Sequence, residues 1–209
     1  GWTLRAQAGS GFRAPSPYEL HDVWSGNPDL VPETSKGYEI GVERDWINGA
    51  NLRVSAFRND IDKLIEYSNA TFKYQQTTGS SRVQGVEIAA EAPLTDRLTL
   101  AGNFTYTDSE GPDGQTLDRV PRRMLNLRLD GEVTDRTNFG VTLQHMSGFN
   151  DGGAEMPTFT TVGALIEHQI TDTTTGYIRV ENLLDEQYQM IRGYGTSDRA
   201  VYVGVRASF

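Results

Sequence analysis

The sequence predicts an all-β protein: ten strands of an antiparallel up-and-down transmembrane β-barrel. Three observations predict it. Apolar and polar residues alternate with period two, the connections alternate between tight and long, and no stretch shows a convincing helical period. Successive side chains of a strand point to opposite faces, so alternation gives each strand one apolar and one polar face.

The pattern begins with Trp2, Leu4, Ala6 and Ala8 on one face and Arg5 and Gln7 on the other. It continues with Tyr38/Ile40/Val42 against Glu39/Glu43, Leu52/Val54/Ala56 against Arg53, and Val86/Ile88/Ala90/Ala92 against Glu87/Glu91. Leu98/Leu100/Phe104/Tyr106, Leu125/Leu127/Leu129 and Phe139/Val141/Leu143 follow, then Val162/Ala164/Ile166 and Ile178/Val180. Val201/Val203/Val205/Ala207/Phe209 close the series. From Ala56 to Tyr67 the alternation slips at Phe57, which a bulge or a strand running past the bilayer explains.

Connections at one end are tight: 45–50, 93–97, 131–137 and 171–174. Those at the other are long: 11–35, 68–80, 108–119, 147–157 and 184–199. Short periplasmic turns and longer extracellular loops are the mark of an outer-membrane barrel. The first strand then runs outward, and Trp2, Trp46 and Phe209 fall at the periplasmic rim, where an aromatic girdle belongs. A soluble β-sandwich also alternates, but its strands are shorter and its loops need not sort by length between two ends.

Composition agrees. The chain has 209 residues, 19 Lys+Arg against 28 Asp+Glu, a net charge of −9 and no Cys. Such an acidic chain is a poor ligand for nucleic acid, and disulfide frameworks, zinc ribbons and thiol catalysis are excluded. A mean hydropathy of −0.49 suggests a soluble protein, but such averages are blind to barrels. The chain opens at Gly1 inside one alternating strand and stops at Phe209 after another, which reads as a piece of a longer protein.

Short segments, in order along the chain, resemble the C-terminal half of a TonB-dependent outer-membrane receptor. Gly11-Phe-Arg-Ala-Pro15 is similar to the family's "FRAP" segment, and Gly26-Asn-Pro-Asp-Leu-Val-Pro-Glu33 to its "NPxLxPE" segment. Asn59–Ile65, Arg82–Glu87 and Glu181-Asn-Leu-Leu-Asp-Glu-Gln-Tyr188 resemble later family elements, the last being "NLFDxxY". The resemblance implies that residues 1–209 are the last ten strands of a 22-stranded barrel, with a plug domain and a TonB box encoded upstream. It implies TonB-driven import of a scarce nutrient, an iron–siderophore or cobalamin. It also implies that the strand ending at Phe209 is read by the barrel-insertion machinery.

On this reading the inward row of Arg5, Glu39, Glu43, Arg53, Glu87, Glu91, Arg128, Arg179 and Arg206 faces the plug and water. Tyr18, His21, Trp24, Tyr74, Phe149 and Tyr194 in the long loops are the candidate ligand contacts, since aromatics and charge-assisted donors suit a large, flat or anionic molecule. Haem is an alternative ligand through His21, which lies between the "FRAP" and "NPxL" segments, where haem receptors of the family place an axial histidine. No catalytic residue, resident metal or cofactor is expected. The rivals are a passive porin and an outer-membrane hydrolase, the latter disfavoured because His145 and His168 meet no plausible acidic or nucleophilic partner.

Overall fold

The computed structural model describes residues 1–208; the expectation placed on Phe209 lies outside the described residues. Ten long strands form one antiparallel sheet, β1 (Trp2–Arg13), β2 (Glu33–Asp45), β3 (Asn51–Asp62), β6 (Ser80–Thr95), β7 (Leu98–Glu110), β8 (Arg123–Thr134), β9 (Thr137–Ser147), β12 (Phe159–Thr171), β13 (Thr174–Glu181) and β14 (Ala200–Ala207), each beside its sequence neighbour in that order. Two short hairpins, β4 (Ile65–Ser68) with β5 (Lys73–Gln76) and β10 (Asn150–Asp151) with β11 (Ala154–Glu155), stand in the long loops. Among the described residues β1 pairs only with β2 and β14 only with β13, so the sheet is an open wall with two edges.

The register keeps parity across the wall. Leu4 lies opposite Val42, which faces Val54, then Ile88, Phe104 and Leu125. Lower down, Leu127 meets Leu143 and Leu143 meets Val162. These rows make one continuous apolar face, and it is open: Leu4, Ile40, Val203 and Val205 are all more than half exposed. An exposed apolar sheet of this extent has no place in water; it faces hydrocarbon. On β9 and β12 the band is closed at both ends by imidazole–hydroxyl pairs, His145 Nδ1 with Thr160 Oγ1 and His168 Nδ1 with Thr137 Oγ1, both at 2.9 Å. Thr160 and His168 are roughly 26 Å apart along the strand at ~3.3 Å per residue. With the tilt of barrel strands that is ~20 Å of height, near the apolar band of outer-membrane barrels. No helix of the described residues is long and apolar enough to cross a membrane.

The slip at Phe57 is not a bulge. β3 pairs in unbroken register from Asn51 to Asp62 on both sides, and the chain breaks only at Lys63, with φ 59°. Phe57 sits on the polar face because Gly85 opposite it leaves room for the ring; a Cβ on Gly85 would come within 2.8 Å of that ring and 2.1 Å of the Tyr106 carbonyl. Three register shifts do occur, at 93/95, 132/134 and 169/171, all beside tight turns. The loops also differ from expectation. β1 and β2 run on to Arg13 and back from Glu33, and the first loop holds a five-residue helix, α1 (Pro17–His21). α1 is too short to show a period, but its start is written in sequence: Ser16 and Glu19 form a reciprocal capping box, with Pro at the helix start.

Replacing Gly85 by Ala forces the Phe57 ring and the neighbouring carbonyl apart and should lower the stability of the full-length barrel by ~1–3 kcal/mol. Gly37→Ala, whose Cβ meets only the Asn59 side chain at 3.7 Å, should change it little. Thermal unfolding of the two variants in detergent checks the contrast.

Candidate functional site

The long-loop end of the wall carries the folded surface. Arg13, at the tip of β1, donates from Nε and Nη2 to the two oxygens of Glu33, each at 2.8 Å, and from Nη1 to Glu19 at 3.0 and 3.1 Å. Glu33 also accepts from the Ile65 backbone N–H at 2.7 Å. One buried carboxylate therefore joins β1, β2 and the β4–β5 hairpin, and through Arg13 it holds α1. Burial pushes the Glu33 carboxyl up, but hydrogen bonds from Arg13 and Ile65 outweigh it and hold the group below its ordinary value.

That junction sets α1 against the hairpin. Tyr74 N–H donates to the Ser25 carbonyl at 2.9 Å, Asn27 Nδ2 to the Tyr74 carbonyl at 3.0 Å, and Gln76 clasps both polar groups of Val31. The result is an aromatic shelf. Tyr74 lies edge-on to Tyr18 at 6.1 Å and to Tyr67 at 5.4 Å between centroids. Burial, then the neighbouring Tyr18 and Glu19, raise the Tyr74 phenol, so it stays a hydroxyl donor.

Of the loop residues singled out in sequence, Tyr18 and Tyr74 come together here, joined by Tyr67, which sequence reasoning passed over as part of a strand. Trp24 projects into solvent nearby, and His21 is exposed at the end of α1 without a hydrogen-bond partner among the described residues. Tyr194 is exposed in the last loop. Phe149 is elsewhere: only 2% exposed, it packs with Met146, Met156 and Phe159, so it builds the loop base rather than presenting a ring to solvent.

The last loops are organised around that core. Tyr188 stacks on Phe159 at 4.3 Å, while Asn182, at φ 48°, binds the Glu186 and Ser197 carbonyls and receives the Glu186 N–H. Asp185, at φ 57°, accepts from the Arg199 N–H at 2.9 Å. Asp151 ties two loops together through Arg119 Nε at 2.6 Å and the Arg192 N–H at 2.7 Å. The Asn182–Tyr188 segment is thus a loop clamp: Asn and Asp accept the left-handed backbone and bind back to it.

The expected inward residues share the face opposite the apolar band. Glu43 bridges Arg5 and Arg53 at 2.8 and 2.6 Å, Arg128 pairs with Asp130, Arg179 with Glu181, and Arg206 with Glu167. Glu39, Glu87 and Glu91 have no ion pair among the described residues. The arginines of these pairs are exposed, so the pairs add little stability; their effect is to make the face hydrophilic. Among the described residues no group of His and acidic side chains could hold a metal ion.

Comparison with known proteins agrees with this geometry. A family model described as "TonB dependent receptor-like, beta-barrel" matches residues 1–183. The iron-regulated outer membrane virulence protein of Vibrio cholerae is 27% identical, covering all of this chain and 37% of its own length. In fold, the chain matches the copper transporter OprC (TM-score 0.84, 16% identity, all of this chain and 37% of that one). It also matches the ferric enterobactin receptor of Pseudomonas aeruginosa (TM-score 0.80, 21% identity, all of this chain and 38% of that one). The chain thus spans a little over a third of the length of these relatives.

Glu33→Gln removes the charge that holds Arg13 and should cost ~1–3 kcal/mol of local stability. Hydrogen exchange of residues 62–77 in the full-length protein should then rise, while exchange in β8 and β9 stays unchanged. The carboxyl is depressed in the folded state, so its contribution is present above its unfolded pKa and lost as pH falls through the folded one. Wild-type exchange in 62–77 should rise in acid, and the Gln variant should not show that rise.

Proposed function

We infer the function from one premise: the chain belongs to the TonB-dependent receptor β-barrel family, and its place is the Gram-negative outer membrane. That family consists of receptors rather than enzymes. The whole protein, in this reading, binds a scarce nutrient at its outer loops and passes it inward when the TonB complex acts on a plug inside the barrel. These ten strands are the C-terminal part of a 22-stranded wall.

One observation carries the reading: a sheet apolar on one face and charged on the other bears an ordered, aromatic loop surface at one end only. A passive pore has no need of an ordered aromatic shelf, and a hydrolase needs a histidine near a nucleophile, whereas His145 and His168 each pair with a threonine at the limits of the lipid band. The polar face, with Glu39, Glu87 and Glu91 lacking ion pairs among the described residues, suits contact with a plug and water. The last strand, β14, serves insertion of the barrel.

The nutrient we propose is an iron–siderophore. The relative from Vibrio cholerae is named as iron-regulated, and the Tyr18/Tyr67/Tyr74 shelf offers ring edges and phenol donors to a flat, oxygen-rich chelate. Binding of a ferric catecholate, cobalamin and haem to the purified full-length receptor separates the ligands. Ferric catecholate should bind, and Tyr18→Ala with Tyr74→Ala should weaken it about tenfold. His21→Ala should leave every affinity unchanged. Binding of cobalamin alone, or haem binding that vanishes in His21→Ala, would overturn the siderophore reading.

A further inference from the structure

The periplasmic rim holds an unusual arginine. Arg44 lies on the lipid-facing side of β2, in register with Trp2 on β1 and Leu52 on β3. Its guanidinium carbon stands 5.0 Å from the Trp2 ring centre and 4.8 Å from that of Trp46, and the two indoles meet edge-on at 6.5 Å. Of the two carboxylates that flank it in sequence, Glu43 points to the other face, where Arg5 and Arg53 hold it. Asp45 follows Glu43 in parity to that same face. Among the described residues Arg44 has neither a carboxylate nor a hydrogen-bond partner.

The surroundings fix its depth. The next outward residues along β2 are Val42 and Ile40, part of the apolar band, and past it comes the tight turn closed by Trp46 N–H to the Ala50 carbonyl at 2.8 Å. Ile47 in that turn is fully exposed and Trp46 partly so. A cation at this level, with hydrocarbon on one side and water on the other, sits where lipid phosphates sit. The two indoles hold the guanidinium at the rim by cation–π attraction, and its N–H groups, without a partner among the described residues, are left to donate to a phosphate.

We propose that Arg44, held beside Trp2 and Trp46, is a binding site for the phosphate of an anionic glycerophospholipid in the periplasmic leaflet. The site draws an anionic lipid out of a mixed leaflet and fixes the height of this part of the wall. Trp2 and Trp46 act as positioning residues that hold the guanidinium at this level, and Ile47 packs against the acyl–headgroup boundary. The proposal rests on the outer-membrane reading and its orientation, with the tight turns periplasmic, but not on the identity of the nutrient.

Native mass spectrometry of the full-length receptor, titrated with phosphatidylglycerol and separately with phosphatidylcholine in detergent, tests it without any transported ligand. Wild type should retain phosphatidylglycerol in preference to phosphatidylcholine. Arg44→Ala should weaken phosphatidylglycerol binding about tenfold, and Arg44→Lys, which keeps the charge but not the fork, should recover only part of it. Trp46→Leu should give an intermediate loss with Arg44 retained, which keeps the proposal testable if Arg44→Ala does not fold. Equal retention of both lipids by wild type overturns the site, as does an undiminished phosphatidylglycerol preference in Arg44→Ala or Trp46→Leu. Such failure leaves the transport reading standing, and loss of siderophore binding leaves the lipid result standing.

Discussion

The wall depends on one constraint: in hydrocarbon no water completes a backbone hydrogen bond, so each strand must be paired along its membrane-spanning length. In-register antiparallel pairing meets that demand, and it also imposes parity. Once Leu4 lies opposite Val42 and Val42 opposite Val54, every second residue of every strand is committed to lipid and the remainder to the interior. The register shifts fall only beside the tight turns, where the chain leaves the band and parity no longer matters. The same constraint makes unpaired edges such as those of β1 and β14 among the described residues costly in a bilayer, and the chain spans only a little over a third of the length of its relatives.

Above the band the constraint relaxes and ordinary protein chemistry takes over. The buried apolar cluster joins Met146 and Phe159, at the long-loop ends of β9 and β12, to Phe149 and Met156 of the loop between them. At the other side of the rim Glu33 plays the corresponding part with charge. It gathers Arg13 and the Ile65 amide, and with them the segments that carry the family's short motifs. Those motifs are thus architectural: "FRAP" and "NPxLxPE" supply the two halves of an ion pair, and the Asn182–Tyr188 element supplies a clamp. The rings of Tyr18 and Tyr74 ride on this frame.

Much of this was legible in sequence because period two needs only local information. All ten strands, the sorting of loop lengths and the shared polar face of Arg5, Glu43, Arg53 and Arg128 follow from it. The loop surface was less legible, for physical reasons that differ by residue. α1 spans barely more than one turn, so only its capping box betrays it. The link of Arg13 to Glu33 joins residues twenty apart, and the contact of Tyr67 with Tyr74 depends on a hairpin whose turn lacks a strong glycine signal. Phe149 reads as a loop aromatic, yet a loop folded over Met146 and Phe159 buries it. Phe57 misleads in the opposite sense, since its room comes from Gly85 on the neighbouring strand.

The central claim, lipid on one face and water on the other, is open to a direct measurement. Residues 1–209 contain no Cys, so, with any cysteine elsewhere in the receptor replaced, single cysteines carrying a nitroxide can be placed at successive positions from Gly85 to Glu91 of β6 in the full-length receptor in bilayers. Collision with oxygen, which concentrates in lipid, should peak at Val86, Ile88 and Ala90. Collision with a water-soluble nickel chelate should peak at Gly85, Glu87, Ala89 and Glu91. A profile without period two, or with the two phases exchanged, would contradict the account.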